Sequence, residues 1–494
     1  METITNLFTD MTFVSFVVYM LFMVGIGMFF CNKNETINEY LLGGRGIGSW
    51  VTAFSAQASD MSGWLLMGLP GAIYLGGMAD AWVAIGLWAG TWINWVLVAP
   101  RLRVYTEKTS SLTLSSFFAE RFKDPSGLLR LVSALIILLF FTIYAASGLM
   151  ASGKLFDSMF KINYQTAVLI GAAVIMCYTM LGGYLAVCWT DLIQGTLMFC
   201  AIIIVPIIAI LNNGGFDPVL ESVMSEKLSL LPSENNDLTF ITIISCAVWG
   251  LGYFGQPHIL SRFMSVRDVK ILPRTTAIAM SWVTISLIFA VVIGLVGKAI
   301  YPGLTGGNQE KVFIYMIQGN FAPWLGGIML AAIMAAIMST IDSQLLVSSS
   351  ALTEDFYRRV IRRTASTKEA VFASRAFVLF ITIIATVIAL FPSDTIFNVV
   401  KFAWGGFGAA FGPVVLMALY SKKTTWLSAL LGMIVGSVVM ITWYMLGLNK
   451  YMYEILPGFV ANFIVICLVN VFYSQKDTEI IEQFEQSVKE SRAK

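Results

Sequence analysis

Apolar residues fall in runs of about twenty, divided by short polar stretches, and this spacing organises the whole chain. Thirteen runs stand near 12–31, 49–75, 80–100, 131–152, 164–186, 191–212, 238–258, 275–300, 322–350, 371–391, 397–420, 425–447 and 457–473. About twenty apolar residues in a helix match the thickness of a bilayer's hydrocarbon core, so each run predicts a membrane-spanning helix. Two runs are interrupted. The second contains Ser55-Ala56-Gln57-Ala58-Ser59-Asp60-Met61-Ser62-Gly63-Trp64, with Asp60 in an otherwise apolar setting. A lone carboxylate at mid-span costs roughly 2.5–3.5 kcal/mol on insertion scales, so Asp60 needs a compensating partner. Small and hydroxylated neighbours suit a helix that unwinds there and exposes its carbonyls. The competing reading is an intact packing helix with Asp60 tied to a nearby hydroxyl.

The seventh run carries Trp249-Gly250-Leu251-Gly252-Tyr253-Phe254-Gly255-Gln256-Pro257-His258. Three glycines and a proline so close together predict a second break. Spans two and seven lie an odd number of crossings apart, so they run in opposite directions. Broken helices at matching places in halves of opposite topology point to an inverted-repeat transporter, although no residue-level repeat links the halves. On span nine, Ala336, Ser339 and Thr340 share one helix face. Opposite freed carbonyls near Ala58 and Met61 they make an all-oxygen nest for a hard monovalent cation. Alternatively both hydroxyls bond back to their own helix.

Composition agrees with a polytopic helical membrane protein: 57% of residues are hydrophobic, 12% are charged, and mean hydropathy is +0.79. A net charge of +2 gives no electrostatic basis for nucleic-acid binding. The first run lacks a basic leader and a small-residue cleavage site, so it reads as a retained span. The six cysteines have no metal-ligand or redox spacing. Placing the N-terminus outside puts 24 of 31 basic residues in the inner segments, which predicts an outer N-terminus and a cytoplasmic C-terminus. Lys401 falls inside a span. The inner stretch 104–129 predicts a short interfacial helix, the acidic outer stretch 213–237 a solvated loop, and the tail from Gln475 an amphipathic helix.

The motifs Ala58-Ser59-Asp60-Met61-Ser62-Gly63-Trp64-Leu65-Leu66-Met67-Gly68-Leu69-Pro70-Gly71, Trp249 to His258 and Met338-Ser339-Thr340 resemble the solute:sodium symporter family. So do Leu42-Gly43-Gly44-Arg45, Phe140-Phe141-Thr142-Ile143-Tyr144 and Trp404 to Pro413, which together span almost the whole chain. The resemblance implies an all-α membrane protein of thirteen helices with a five-plus-five inverted-repeat (LeuT-type) core. It also implies sodium-coupled proline uptake across a bacterial inner membrane, with sodium co-transported and no organic cofactor. The expected organisation is 1–48 (first helix and inner loop), 49–212 and 213–420 (the two repeats), 421–474 (peripheral helices) and 475–494 (tail). Carried over by motif, sodium falls on the carbonyls of Ala58, Met61 and Ala336 and the hydroxyls of Ser339 and Thr340, with Asp60 as the acidic residue beside it. The substrate region falls on Ser62, Gly68, Tyr144, Trp249, Tyr253 and Pro257.

The residues themselves favour a zwitterion, because Asp60 is the one charged side chain read as lying away from span ends and loops. A zwitterion brings its own compensating charges, and Trp249, Tyr253 and Tyr144 offer flat walls for a small ring. A second cation route through Asp191 and Asp342 stands beside helix capping for Asp191 and solvation near the inner face for Asp342. His258 reads as bonding a freed backbone group, Arg45 as an inner-gate latch or an interface anchor, and Glu310 as a solvated loop residue. Gly405, Gly406, Gly408 and Gly412 read as close helix contact and hinge material. Competing functions are symport of another small solute (another amino acid, pantothenate or a sugar) and a transporter-fold sensor, although only about twenty residues follow the last span. No nucleophile–base set or phosphate loop argues for an enzyme.

Overall fold

A computed structural model of the chain describes residues 10–31, 37–181, 183–225, 230 and 236–492. Of the charged positions read in the outer stretch, Glu226, Lys227 and Glu234 lie outside the described residues. In chain order the helices are α1 (Met11–Cys31), α2 (Ile37–Leu42), α3 (Ser49–Asp60) and α4 (Leu69–Gly76), the last entered through wide turns at Trp64–Gly68. Next come α5 (Ala81–Ile93), α6 (Ala99–Lys108), α7 (Leu114–Phe122), α8 (Leu128–Phe160), α9 (Tyr164–Leu181), α10 (Tyr184–Asn212) and α11 (Phe216–Ser225). Helix α12 (Asn236–Ala247) tightens into Val248–Gly255 and restarts as α13 (Pro257–Ser265). The rest are α14 (Leu272–Ile300), α15 (Val312–Asn320), α16 (Pro323–Ala351), α17 (Thr367–Leu390), α18 (Ile396–Tyr420), α19 (Trp426–Met445), α20 (Ile455–Phe472) and α21 (Thr478–Arg492).

Among the described residues, nine helical stretches are long and apolar enough to cross a membrane. Shorter apolar helices lie at Met11–Ile26, Tyr164–Met176 and Phe240–Gly255. The best-buried candidate spans run through α16 and α18, each 83% buried against 22% for α20, so these two form the middle of the bundle. A helix apolar on every side has no stripe to turn toward water and belongs at the centre. Close approach there uses small residues: a Cβ on Gly63 would press on Ala151 and Ile337, and one on Gly86 would fall on the Ala247 backbone. Gly405, Gly406, Gly408 and Gly412 line α18 against Tyr453, Phe140, Ile455 and Phe459, as close contact requires.

Both ends of the bundle are tied. On the basic side, Gly43, Gly44 and Arg45 all have positive φ (58°, 63° and 55°), a turn that aims Arg45 inward. Its guanidinium donates to the carbonyls of Met264 (2.7 Å), Thr106 (3.0 Å) and Ser111 (2.7 Å). The Ile47 N–H donates to the Ser265 carbonyl, and the Arg267 N–H donates to that of Ile47. Arg45 is therefore bound to protein carbonyls and to the Thr106 hydroxyl, between elements that meet at this end. At the other side, Glu310 is 2% exposed, pairs with Lys154 (2.5 Å) and accepts from the N–H groups of Ile396 and Phe397. It closes the first turn of α18 and is no solvated loop residue.

The stretch 104–129 does hold a helix, α7, but Phe117 and Phe118 are fully buried, so it packs into the bundle and does not lie on an interface. Part of the acidic stretch read as a loop is helix α11. The tail helix α21 docks back on the basic face through Lys123–Glu479 (2.5 Å), Lys422–Glu485 (2.9 Å) and Lys108–Glu490 (2.8 Å), with Phe484 against the Arg121 guanidinium. Asp477 caps this helix. The Ile480 N–H, with help from Lys123, holds its carboxyl below the usual range.

Candidate functional site

Helix α3 stops at Asp60. Met61 leaves helical geometry (φ −88°, ψ 78°), and the Ser62 N–H turns back to the Asp60 carbonyl (3.1 Å). A helix end strands its last carbonyls, and here each needs a partner inside protein. The Asp60 carbonyl accepts from the Trp64 indole (3.2 Å) and the Tyr144 hydroxyl (3.4 Å). The Ala58 carbonyl accepts from Ser339 (2.8 Å) and Thr340 (3.4 Å) on α16. The same hydroxyls stand 3.2 and 3.1 Å from the Ala336 carbonyl, so bonding to their own helix and pointing at the break are both satisfied. Four of the five oxygens expected for sodium are therefore gathered between α3 and α16. Met61, whose carbonyl is the fifth, sits at the turn itself and is fully buried.

The Asp60 carboxylate lies at the join of the two breaks. Its Oδ2 accepts from the Tyr253 hydroxyl at 2.6 Å, while Oδ1 is buried with no protein partner. The second break is held differently. Trp404 on α18 donates to the Trp249 carbonyl (2.8 Å), Asn94 donates to that of Tyr253 (3.0 Å), and Gln256 donates to that of Trp404 (3.3 Å). Gly252 admits this arrangement because a Cβ there would overlap the Trp404 indole.

Around the breaks several of the expected substrate residues pack against aromatic side chains. Trp249 stacks on Phe397 (centroids 5.1 Å apart), lies 6.4 Å from Trp64, and packs near Tyr453. Tyr253 meets Trp404 edge-on at 5.0 Å. Gly68 passes the start of α18, where a Cβ would touch Phe397. Ser62, Tyr144, Trp249 and Tyr253 are each no more than 3% exposed, so all four are closed off from solvent. Pro257 opens α13, where its missing N–H costs nothing.

Asp191 does not cap a helix: it lies inside α10, fully buried, on Ser55 (2.6 Å) and the Arg262 guanidinium (3.2 Å). Asp342 is also fully buried, not solvated, and close enough to both to interact electrostatically. Arg262, read as a loop residue, is a buried cation that also donates to Ser55, Ser343 and the His258 carbonyl. One arginine thus faces two aspartates, and Asp191 Oδ1 and Asp342 Oδ2 are buried without partners among the described residues. His258 stands edge-on to Phe141 and Tyr144, and neither ring nitrogen has a protein partner, so it does not bond a freed backbone group.

Sequence reasoning missed Asn94, Arg262, Trp64 and Trp404 as structural partners. A lone Asn in the third apolar run was a readable signal. Arg262, shortly past the second break, stands in a basic stretch with Arg267, Lys270 and Arg274 and carries no local sign of burial.

A family model described as the sodium:solute symporter family matches residues 40–436. The chain is 46% identical over 485 residues to the sodium/proline symporter of Escherichia coli strain K12, covering 96% of this chain and 95% of that one. It is 45% identical over 465 residues to the high-affinity proline transporter PutP of Bacillus subtilis strain 168, covering 94% and 98%. Among solved structures, a substrate-bound, outward-open sodium-coupled sialic acid symporter superposes with a TM-score of 0.80 at 19% identity, covering 94% and 99%. MhsT in complex with L-phenylalanine superposes at 0.57 and 17% identity, covering 85% and 97%.

Proposed function

The chain belongs to the sodium:solute symporter family, and from that premise we propose how its residues carry sodium-coupled proline symport. Sodium enters the nest formed by the Ala58, Met61 and Ala336 carbonyls and the Ser339 and Thr340 hydroxyls. Its charge replaces the hydroxyl protons now directed at the Ala58 carbonyl. Asp60 lowers the energy of that cation and, through Tyr253, links it to the second break. Proline lies against Trp249, Tyr253 and Tyr144 beside Ser62, Gly68 and Pro257. Its carboxylate meets a half-helix N-terminus, and its ammonium meets a carbonyl or an aromatic face. The observation that carries this reading is the pair of hydroxyls from α16 reaching the Ala58 carbonyl across the first break.

The transport cycle is alternating access. The two repeats, 49–212 and 213–420, rock about the bound ion and solute within thirteen membrane-spanning helices, with the N-terminus outside and the basic face and tail in the cytoplasm. No organic cofactor takes part. Asp191 and Asp342 provide a second cation route, supported by the buried carboxyl oxygens that lack partners among the described residues. One sodium moving down ~100 mV supplies ~2.3 kcal/mol, and a tenfold gradient adds ~1.4, which together allow accumulation of roughly several hundred-fold.

The test is labelled proline uptake into proteoliposomes with and without an inward sodium gradient, followed by competition with other amino acids, pantothenate and sugars. Uptake that needs the gradient and yields only to proline and close analogues is expected. Gradient-independent uptake, or stronger competition by a sugar or pantothenate, refutes the assignment.

A further inference from the structure

Away from the transport site, a cavity of about 1080 Å³ opens on the basic face, between the Lys123–Leu128 turn, the start of α8 and the wide-turned continuation of α16 at Leu352–Ile361. Its acids are already engaged. Asp355 is buried on Thr113 (3.0 Å) and Arg130 (3.4 Å), and Glu120 takes Arg130 (2.9 Å). Asp124 closes the first turn of α8 by accepting from Ser126 and Leu129, and Glu354 takes Arg358 (2.9 Å). Lys123 is committed to the tail acids.

What remains is positive. Arg358 is held by Glu354, but among the described residues Arg359 is exposed with no acid at ion-pair distance, and Arg363 gives only its Nε, to the Arg359 carbonyl. Two guanidinium groups thus keep free forked donors on one wall, the geometry that suits a phosphate's paired oxygens. A second feature adjoins it. Leu128, Leu135 and Leu139 are 47%, 52% and 48% exposed, and their spacing makes one apolar stripe running up α8 from the cavity mouth.

Forked donors for a phosphate, continuous with an apolar stripe along a spanning helix, match a molecule bearing both chemistries. The geometry points to a binding site for an anionic phospholipid, its phosphodiester held by Arg359 and Arg363 and an acyl chain lying along Leu128–Leu139. Basic pockets where spanning helices meet the headgroup layer select such lipids. A free phosphate would use the arginines and leave the stripe without a role.

The full chain, purified in mild detergent and delipidated, is titrated with phosphatidylglycerol, phosphatidylcholine, inorganic phosphate or glycerophosphate. Retained lipid is counted by native mass spectrometry and Tm is read in parallel. The wild type is expected to retain phosphatidylglycerol at least fivefold over phosphatidylcholine, with a Tm rise for that lipid alone. R359Q/R363Q should lose the preference, R359K/R363K should keep an intermediate one, and K476Q/K489Q, which removes equal charge from the same face, should keep it all. Equal retention by wild type and R359Q/R363Q overturns the proposal. So does equal loss in K476Q/K489Q, which means bulk attraction, or displacement of the lipid by inorganic phosphate or glycerophosphate, which means a soluble-phosphate site. R359K/R363K keeps the test decisive should the glutamine variant fail to fold.

Discussion

Replacing Ser339 with alanine isolates one oxygen of the proposed ion nest. The hydroxyl lies 2.8 Å from the Ala58 carbonyl and 3.2 Å from that of Ala336, so in the ion-free protein it is one bond between α3 and α16. Losing it costs about 0.5–1.5 kcal/mol of stability, and Thr340 at 3.4 Å recovers only part of that. With sodium bound, the same oxygen faces a full charge, where such interactions are worth about 1.5–3 kcal/mol. Sodium binding reads the difference between these two losses, about 1–1.5 kcal/mol, so the half-saturating sodium concentration should rise about 5- to 15-fold. Initial rates of proline uptake in proteoliposomes, taken across sodium at saturating proline, read this directly. Binding linkage adds a second demand. Apparent proline affinity should fall at low sodium and return to the wild-type value once sodium saturates. A sodium requirement within twofold of wild type, or a proline affinity that stays low at saturating sodium, refutes the site assignment.

Four further outcomes follow from other residues. Asp60→Asn should abolish sodium-stimulated uptake while the protein still folds, because the amide still accepts from Tyr253; full uptake would remove its role. Gly86→Ala should lower Tm by several degrees or prevent folding, since overpacking against a backbone costs about 1–3 kcal/mol or more, whereas Gly25→Ala, with open space around it, should leave Tm unchanged. Glu310→Gln removes the charge paired with Lys154 at the start of α18 and should lower Tm and raise proline leakage from loaded vesicles; unchanged leakage would deny its closing role. Asp477 has a depressed carboxyl pKa, so its contribution to tail docking is present above about pH 3.9 and lost as pH falls below that value. Hydrogen exchange in α21 should speed up across that range in the wild type and show no such step in Asp477→Asn.

Both breaks were readable because their cause is local. Ser62-Gly63 and the glycines before Pro257 weaken a regular helix at those points, although Gly405–Gly408 stay helical inside α18. The face shared by Ala336, Ser339 and Thr340 followed from helical spacing, and the structure turns it to the Ala58 carbonyl. What composition could not give was tertiary. Arg262 looks like its basic loop neighbours until folding places Asp191 and Asp342, from distant helices, around it. Glu310 sits in a polar stretch between spans, and only the approach of α18 shows that its oxygens meet the Ile396 and Phe397 N–H groups. Phe117 and Phe118 gave α7 an amphipathic pattern that fits a headgroup layer as well as a protein cleft. Nothing local decides between those two partners.

The turn at Gly43–Arg45 bears on how the basic end of the carrier opens. Six bonds from Arg45, Ile47 and Arg267 fasten it to its neighbours, five to main-chain oxygens and one to the Thr106 hydroxyl. Every group released when they part is one that solvent can satisfy, so parting them costs only about 3–9 kcal/mol in total. This seam can therefore part by taking up water, which the apolar contacts around it cannot do.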